Sequence, residues 1–164
     1  MSLCPPLRRL STDHARWLAA LARLAGVEGG GSVLLALWDA EIRPHCRAEE
    51  EVLLPELARR LSEADAVVVF TMGDHLVLRR LVRDLRSASG PAADLAAAAL
   101  AVKLTEHFQF EERTLLPALQ DTLGCDRLAE LQGELGQAGS GRSPRPADGP
   151  PATHAAGRTK GTKP

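Results

Sequence analysis

Apolar side chains recur every three or four positions along most of the first 135 residues, the spacing of one face of a helix. One stripe runs Leu7, Leu10, Trp17, Leu21, Leu24, and a second runs Leu35, Trp38, Ile42, Val52. A third runs Val68, Met72, Leu78, Val82, Leu85, and a fourth Leu100, Leu104, Leu115. Three breaks separate them: "GVEGGGS" at 26–32, "SEAD" at 62–65 and "SASGP" at 87–91. Glycine supplies turns, Ser and Asp cap helix starts, and proline suits a first helical turn. The pattern predicts an all-α chain of four helices and a short fifth after Gly124. Long helices with short connections pack as an up-down-up-down four-helix bundle.

Each stripe is interrupted at its middle by a polar residue that falls on the same face. These are His14, His45, His75 and His107, followed one turn later in the second and fourth helices by Glu49 and Glu111. In antiparallel neighbours, residues equidistant from the connecting turn lie level. Glu49 and His75 are equally far from Ser62, and the other pairs agree within about one helical turn. Six polar groups are therefore expected in one layer of the core.

The chain also repeats itself. "HCRAEEEVLLP" (45–55) returns as "HFQFEERTLLP" (107–117), and Asp13-His14 returns as Asp74-His75. Two copies of a helical hairpin, related by an approximate two-fold axis through the polar layer, would produce this. Leu-Leu-Pro reads as the helix end after each phrase. Pro44 and Pro55 read as a kink in the second helix or, for Pro55, its end.

An unpartnered buried carboxylate costs several kcal/mol, so such a layer needs a compensating partner. Imidazole and carboxylate together form a ligand set for iron, manganese or zinc. The His-x-x-x-Glu spacing puts both side chains on one helix face. Four imidazoles and two carboxylates exceed a single tetrahedral zinc and suit two ions, with Glu49 and Glu111 bridging and two histidines on each. Cys46, beside His45, reads as a small residue at a helix interface. "GGGS" lacks the following Lys of a phosphate-binding loop.

Composition narrows the setting. With 20 basic and 21 acidic side chains, the charge points to no specific nucleic acid. The three cysteines, odd in number and without a C-x-x-C, argue against a disulfide framework and for a reducing, cytoplasmic setting. The start has no apolar signal-peptide core, and no apolar run is long enough to cross a bilayer, so no membrane partner is expected. The bundle is assigned to residues 1–135. Residues 136–164, rich in Gly and Pro and basic, read as a disordered tail, so its His154 is set aside.

The phrases "DHARWL", "HCRAEEEVLLP", "DHLVLRRL" and "HFQFEERTLLP" resemble the hemerythrin-like, or HHE cation-binding, domain over about 7–135. The resemblance implies an oxo- or hydroxo-bridged non-haem di-iron centre held by His14, His45, Glu49, His75, His107 and Glu111. Oxygen-carrying members have a second histidine one turn after the one in the third helix, where this chain has Arg79. That departure implies a coordination position left open or filled by water, and redox chemistry or sensing rather than simple oxygen carriage. The carriers also place the fourth-helix acid five residues after its histidine, the spacing of Glu50 and Glu112 here. The inner stripe favours Glu49 and Glu111 instead. The implied ligand is O2, peroxide or nitric oxide, in a dry pocket lined by Trp17, Met72 and Leu78, with the redox partner unspecified. A sensor or iron-handling module that does not turn over is the alternative, and a metal-free helical interaction domain a further one.

Overall fold

The computed structural model describes residues 2–24, 27, 29–62 and 65–139. The described residues are all-helical. Helix α1 (Pro5–Leu24) begins with two prolines in its first turn. Helix α2 is one rod over residues 30–60. Helix α3 (Ala66–Ser87) is capped by the Asp65 carboxylate, which accepts from the Val67 amide at 2.9 Å. Helix α4 covers residues 91–123, and α5 covers 125–139. Parts of the predicted glycine turn and of "SEAD" lie outside the described residues.

Pro44, Pro55 and Pro117 neither end nor break a helix, so Leu-Leu-Pro is not the helix end it resembles. Each follows a single wide π-helical turn: Trp38–Ile42, Glu49–Leu53 and Glu111–Leu115. The amides of Arg43, Leu54 and Leu116 reach back five residues, to the carbonyls of Trp38, Glu49 and Glu111. A proline inside an α-helix lacks an N–H and collides with the carbonyl four residues earlier. Opening the preceding turn by one residue moves that carbonyl aside, and the helix continues. Such turns are common at functional sites; here two of the three begin on the paired glutamates.

Two apolar clusters fill the interior. One contains Leu7, Leu53, Leu57, Leu115, Leu119 and Leu128. The other contains Trp17, Ile42, Leu78, Leu100, Leu104 and Phe108. Fully burying one such leucine stabilises the fold by roughly 1.5–3 kcal/mol. Two positions depart from the expected stripes: Leu34 is buried rather than Leu35, and Met72 is 37% exposed while Thr71 is buried. Met72 is therefore no pocket wall, because α3 turns Thr71, Asp74 and His75 inward instead.

Cys4 and Cys125 form a disulfide, contrary to the expectation from the cysteine count. They are 121 residues apart in sequence, so spacing gives no hint of the pairing. The bond also removes the cysteine-based argument for a reducing compartment. It fastens the start of α1 to the start of α5. Beside it, the Cys4 amide donates to Gln120 Oε1 at 2.7 Å, and Arg127 pairs with the buried Glu56 at 2.8 Å. Helix α5 continues to Gly139, four residues into the segment read as a tail, and residues 140–164 lie outside the described residues. No helix among the described residues is long and apolar enough to cross a membrane.

Candidate metal centre

The two apolar clusters flank a layer of polar side chains at mid-height. Helix α1 contributes His14, α2 contributes His45 and Glu49, α3 contributes His75, and α4 contributes His107 and Glu111. All are buried, five of them completely. The structure thus brings all six sequence-predicted residues together.

Their arrangement is two-sided. Glu49 turns Oε1 to His45 Nε2 and Oε2 to His75 Nε2, each at 3.3 Å. Glu111 turns Oε2 to His14 Nε2 at 3.2 Å and Oε1 to His107 Nε2 at 2.9 Å. The Nε2 atoms of His14 and His45 stand 3.1 Å apart. Each carboxylate therefore spans two imidazole pairs, His14 with His45 and His75 with His107.

These are ion-pair approaches without hydrogen-bond alignment at the carboxylates. Both oxygens of Glu49 and of Glu111, and Nε2 of His75 and His107, are buried with no hydrogen-bond partner. Orphaned groups of this kind are costly in a dry core. Their donor types and convergence fit metal ions, which would satisfy them all. Burial works against charge on Glu111, but His107, with His45 and His75, outweighs it and holds the carboxyl well below its ordinary value. Burial likewise disfavours the imidazolium of His45, His75 and His107, yet their neighbours raise all three: Glu49 and Glu111 for His45, the Cys46 thiol and then the carboxylates for His75, and Glu111 with Asp74 for His107.

Glu50 and Glu112 lie one step outside. Glu112 Oε1 meets His14 Nδ1 at 2.6 Å, and Glu50 Oε1 meets His75 Nδ1 at 2.7 Å. In each Glu-Glu pair the first faces the centre and the second grips a histidine of another helix. That bond directs the histidine's Nε2 lone pair inward, as is usual behind metal-ligating histidines. Asp74 Oδ2 approaches His107 Nδ1 at 3.5 Å, and its Oδ1 pairs with Lys103 at 2.6 Å.

A match to a known family accompanies this geometry: a sequence model of the hemerythrin HHE cation binding domain covers residues 6–134. The chain belongs to that family. No curated protein and no solved structure matches it.

Two features of this hemerythrin-like centre escaped the sequence. Arg79 turns outward and pairs with Glu50, whose Oε2 it meets at 2.6 Å. Cys46 is 1% exposed and lies inside the polar layer, not merely between helices. Ligand atoms of Cys46, Glu49, His75 and His107 all lie within 4.8 Å of one another, as do those of His14, His45, Glu49 and Glu111. Burial would raise the thiol's pKa, but His107 and His75 beside it draw it below its ordinary value. The only hint in the sequence was adjacency to His45.

On the other flank, a cleft of about 500 Å³ opens between α1, α2 and α5. Its lining includes Asp13, Trp17, Glu41, His45, Gln132 and Leu135. Trp17 stands edge-on to His45 at 5.0 Å and donates from Nε1 to Glu41 Oε2 at 2.9 Å.

Proposed function

We propose that this chain is an up-down-up-down four-helix bundle holding a non-haem di-iron centre that binds or reduces a small oxidant, O2, peroxide or nitric oxide. Glu49 and Glu111 would be shared by the two ions, with His14 and His45 holding one and His75 and His107 holding the other. The carrying observation is that each central carboxylate turns one oxygen to each imidazole pair. Iron bound there supplies reversible electron transfer to small oxidants. Manganese and zinc suit the same donors.

The chain's own residues do the rest. Glu50 and Glu112 orient His75 and His14. The apolar clusters on either side exclude water, and the cleft beside His45 gives a small molecule a way in. A second reading, a sensor that does not turn over, is supported by α5. Its Gln132 and Leu135 wall the cleft, so a change at His45 would be felt by that helix. The unpartnered carboxylates weigh against a metal-free interaction domain.

The test is metal analysis and the visible spectrum of the purified, iron-reconstituted protein. About two irons per chain, with absorption from an oxo bridge, are expected. Failure to take up metal, with an unchanged melting temperature in His107→Ala, would sink both readings. Turnover of peroxide or nitric oxide distinguishes the first reading; a centre that bleaches once without turnover favours the second.

A further inference from the structure

The internal repeat makes the two halves of the centre comparable position by position. His45 corresponds to His107, Glu49 to Glu111 and Glu50 to Glu112. By the same register Cys46 corresponds to Phe108. Here the halves stop being equivalent. The Phe108 ring stacks on His14, with centroids 5.1 Å apart and planes 20° apart, so it gives the His14–His45 half an apolar wall. Cys46 gives the His75–His107 half a sulfur atom within 4.8 Å of donors on all three of its neighbours there. Those donors are unpartnered: Nε2 of both histidines and both oxygens of Glu49 lack hydrogen bonds and are buried.

We propose that Cys46 is a thiolate ligand to the ion held by His75 and His107. The inference rests on the two-metal reading above and adds a fifth protein donor to one ion only. Coordination forms a sulfur–metal bond and releases the thiol proton to solvent, with no change of oxidation state. The centre then has a closed half, with two imidazoles, two carboxylate oxygens and a thiolate. Its open half has two imidazoles and two carboxylate oxygens. The open half is the one beside the cleft, since His45 lines that cleft and Cys46 does not. Sulfur also biases the closed half toward softer ions such as zinc or ferrous iron over manganese. Arg79, meanwhile, pairs with Glu50.

Zinc alone, added to the metal-free full-length protein, tests this without any redox chemistry. X-ray absorption at the zinc edge should show a sulfur scatterer at about 2.3 Å, averaging near one half per zinc when two ions are bound. Cys46→Ala should abolish that scatterer and weaken one of the two zinc sites by roughly tenfold or more, leaving the other unchanged. Cys46→Ser keeps the volume and serves if the alanine variant is poorly folded; it too should lose the sulfur signal. Two zincs bound by nitrogen and oxygen donors alone would overturn the thiolate and leave the two-metal reading standing. A sulfur signal that survives in both variants would also overturn it. A chain that takes up no zinc or iron would overturn both.

Discussion

At the residue scale the centre depends on which nitrogen each histidine presents. Glu112 and Glu50 hold Nδ1 of His14 and His75 and so leave Nε2 facing inward. Glu50→Ala and Glu112→Ala should each weaken metal binding about 10- to 100-fold with helix content unchanged. Competition titration against a chelator measures this, and unaltered affinity would remove the orienting role. Glu41 offers a pH test away from the ligands. The Trp17 N–H holds its carboxyl below the ordinary value; burial opposes this, and Arg16 adds to it. A depressed carboxyl contributes stability above its unfolded-state pKa, and that contribution is lost as pH falls through the depressed value. Trp17→Phe removes the donor, so Glu41 should titrate at higher pH, and its acid-labile contribution should be smaller and be fully lost at a higher pH. A carboxyl-carbon NMR titration reads the shift directly, and an unmoved Glu41 would contradict it.

At the element scale the helices are long, but two are not regular. The wide turns before Pro55 and Pro117 rotate everything after them by about one residue, roughly 100°. Both leucines of each Leu-Leu-Pro are buried, as the adjacent third and fourth positions along a helical stripe can be. The sharpest local demand falls on Gly124, between α4 and α5, at φ 73° and ψ 163°. Only glycine occupies this region readily, and a side chain there costs about 1–3 kcal/mol. No heavy atom lies within 4 Å of where its Cβ would stand, so the cost is conformational rather than steric. Gly124→Ala should therefore destabilise the protein by about that amount in urea denaturation. It should also increase amide exchange in α5 ahead of the other helices. Uniform exchange throughout would mean that α5 does not hinge at this glycine.

At the scale of the whole molecule, α5 is held to the bundle by three different means: the Cys4–Cys125 bond, the Glu56–Arg127 pair and the burial of Leu128 and Leu131. The disulfide closes most of the chain into one loop, which in the chain-entropy account is worth about 2–5 kcal/mol. Cys4→Ser should lower the melting temperature of the oxidised protein to that of the reduced wild type. Equal melting of oxidised and reduced wild type would show that the bond adds nothing to stability. Since α5 also walls the cleft, the same variant should widen access to His45. Diethyl pyrocarbonate modification of the metal-free protein would detect this as a faster-reacting histidine.

The chain's own periodicity determined the helices, the depth of the polar layer and the six residues that meet in it. Those features are local: a histidine on an apolar stripe stays on that face wherever the helix packs, and the repeated phrase puts two such faces in one register. That Glu49 and Glu111 face the layer while Glu50 and Glu112 stand outside it was legible for the same reason. Tertiary structure alone decided the rest. Met72 turned outward because neighbouring α3 residues had the better claim on the core. Cys4 met Cys125 across 121 residues, a pairing that spacing could not anticipate. Arg79 found Glu50 on another helix. Cys46 gained its neighbours from α3 and α4, because packing, not sequence adjacency, sets which donors surround a buried sulfur.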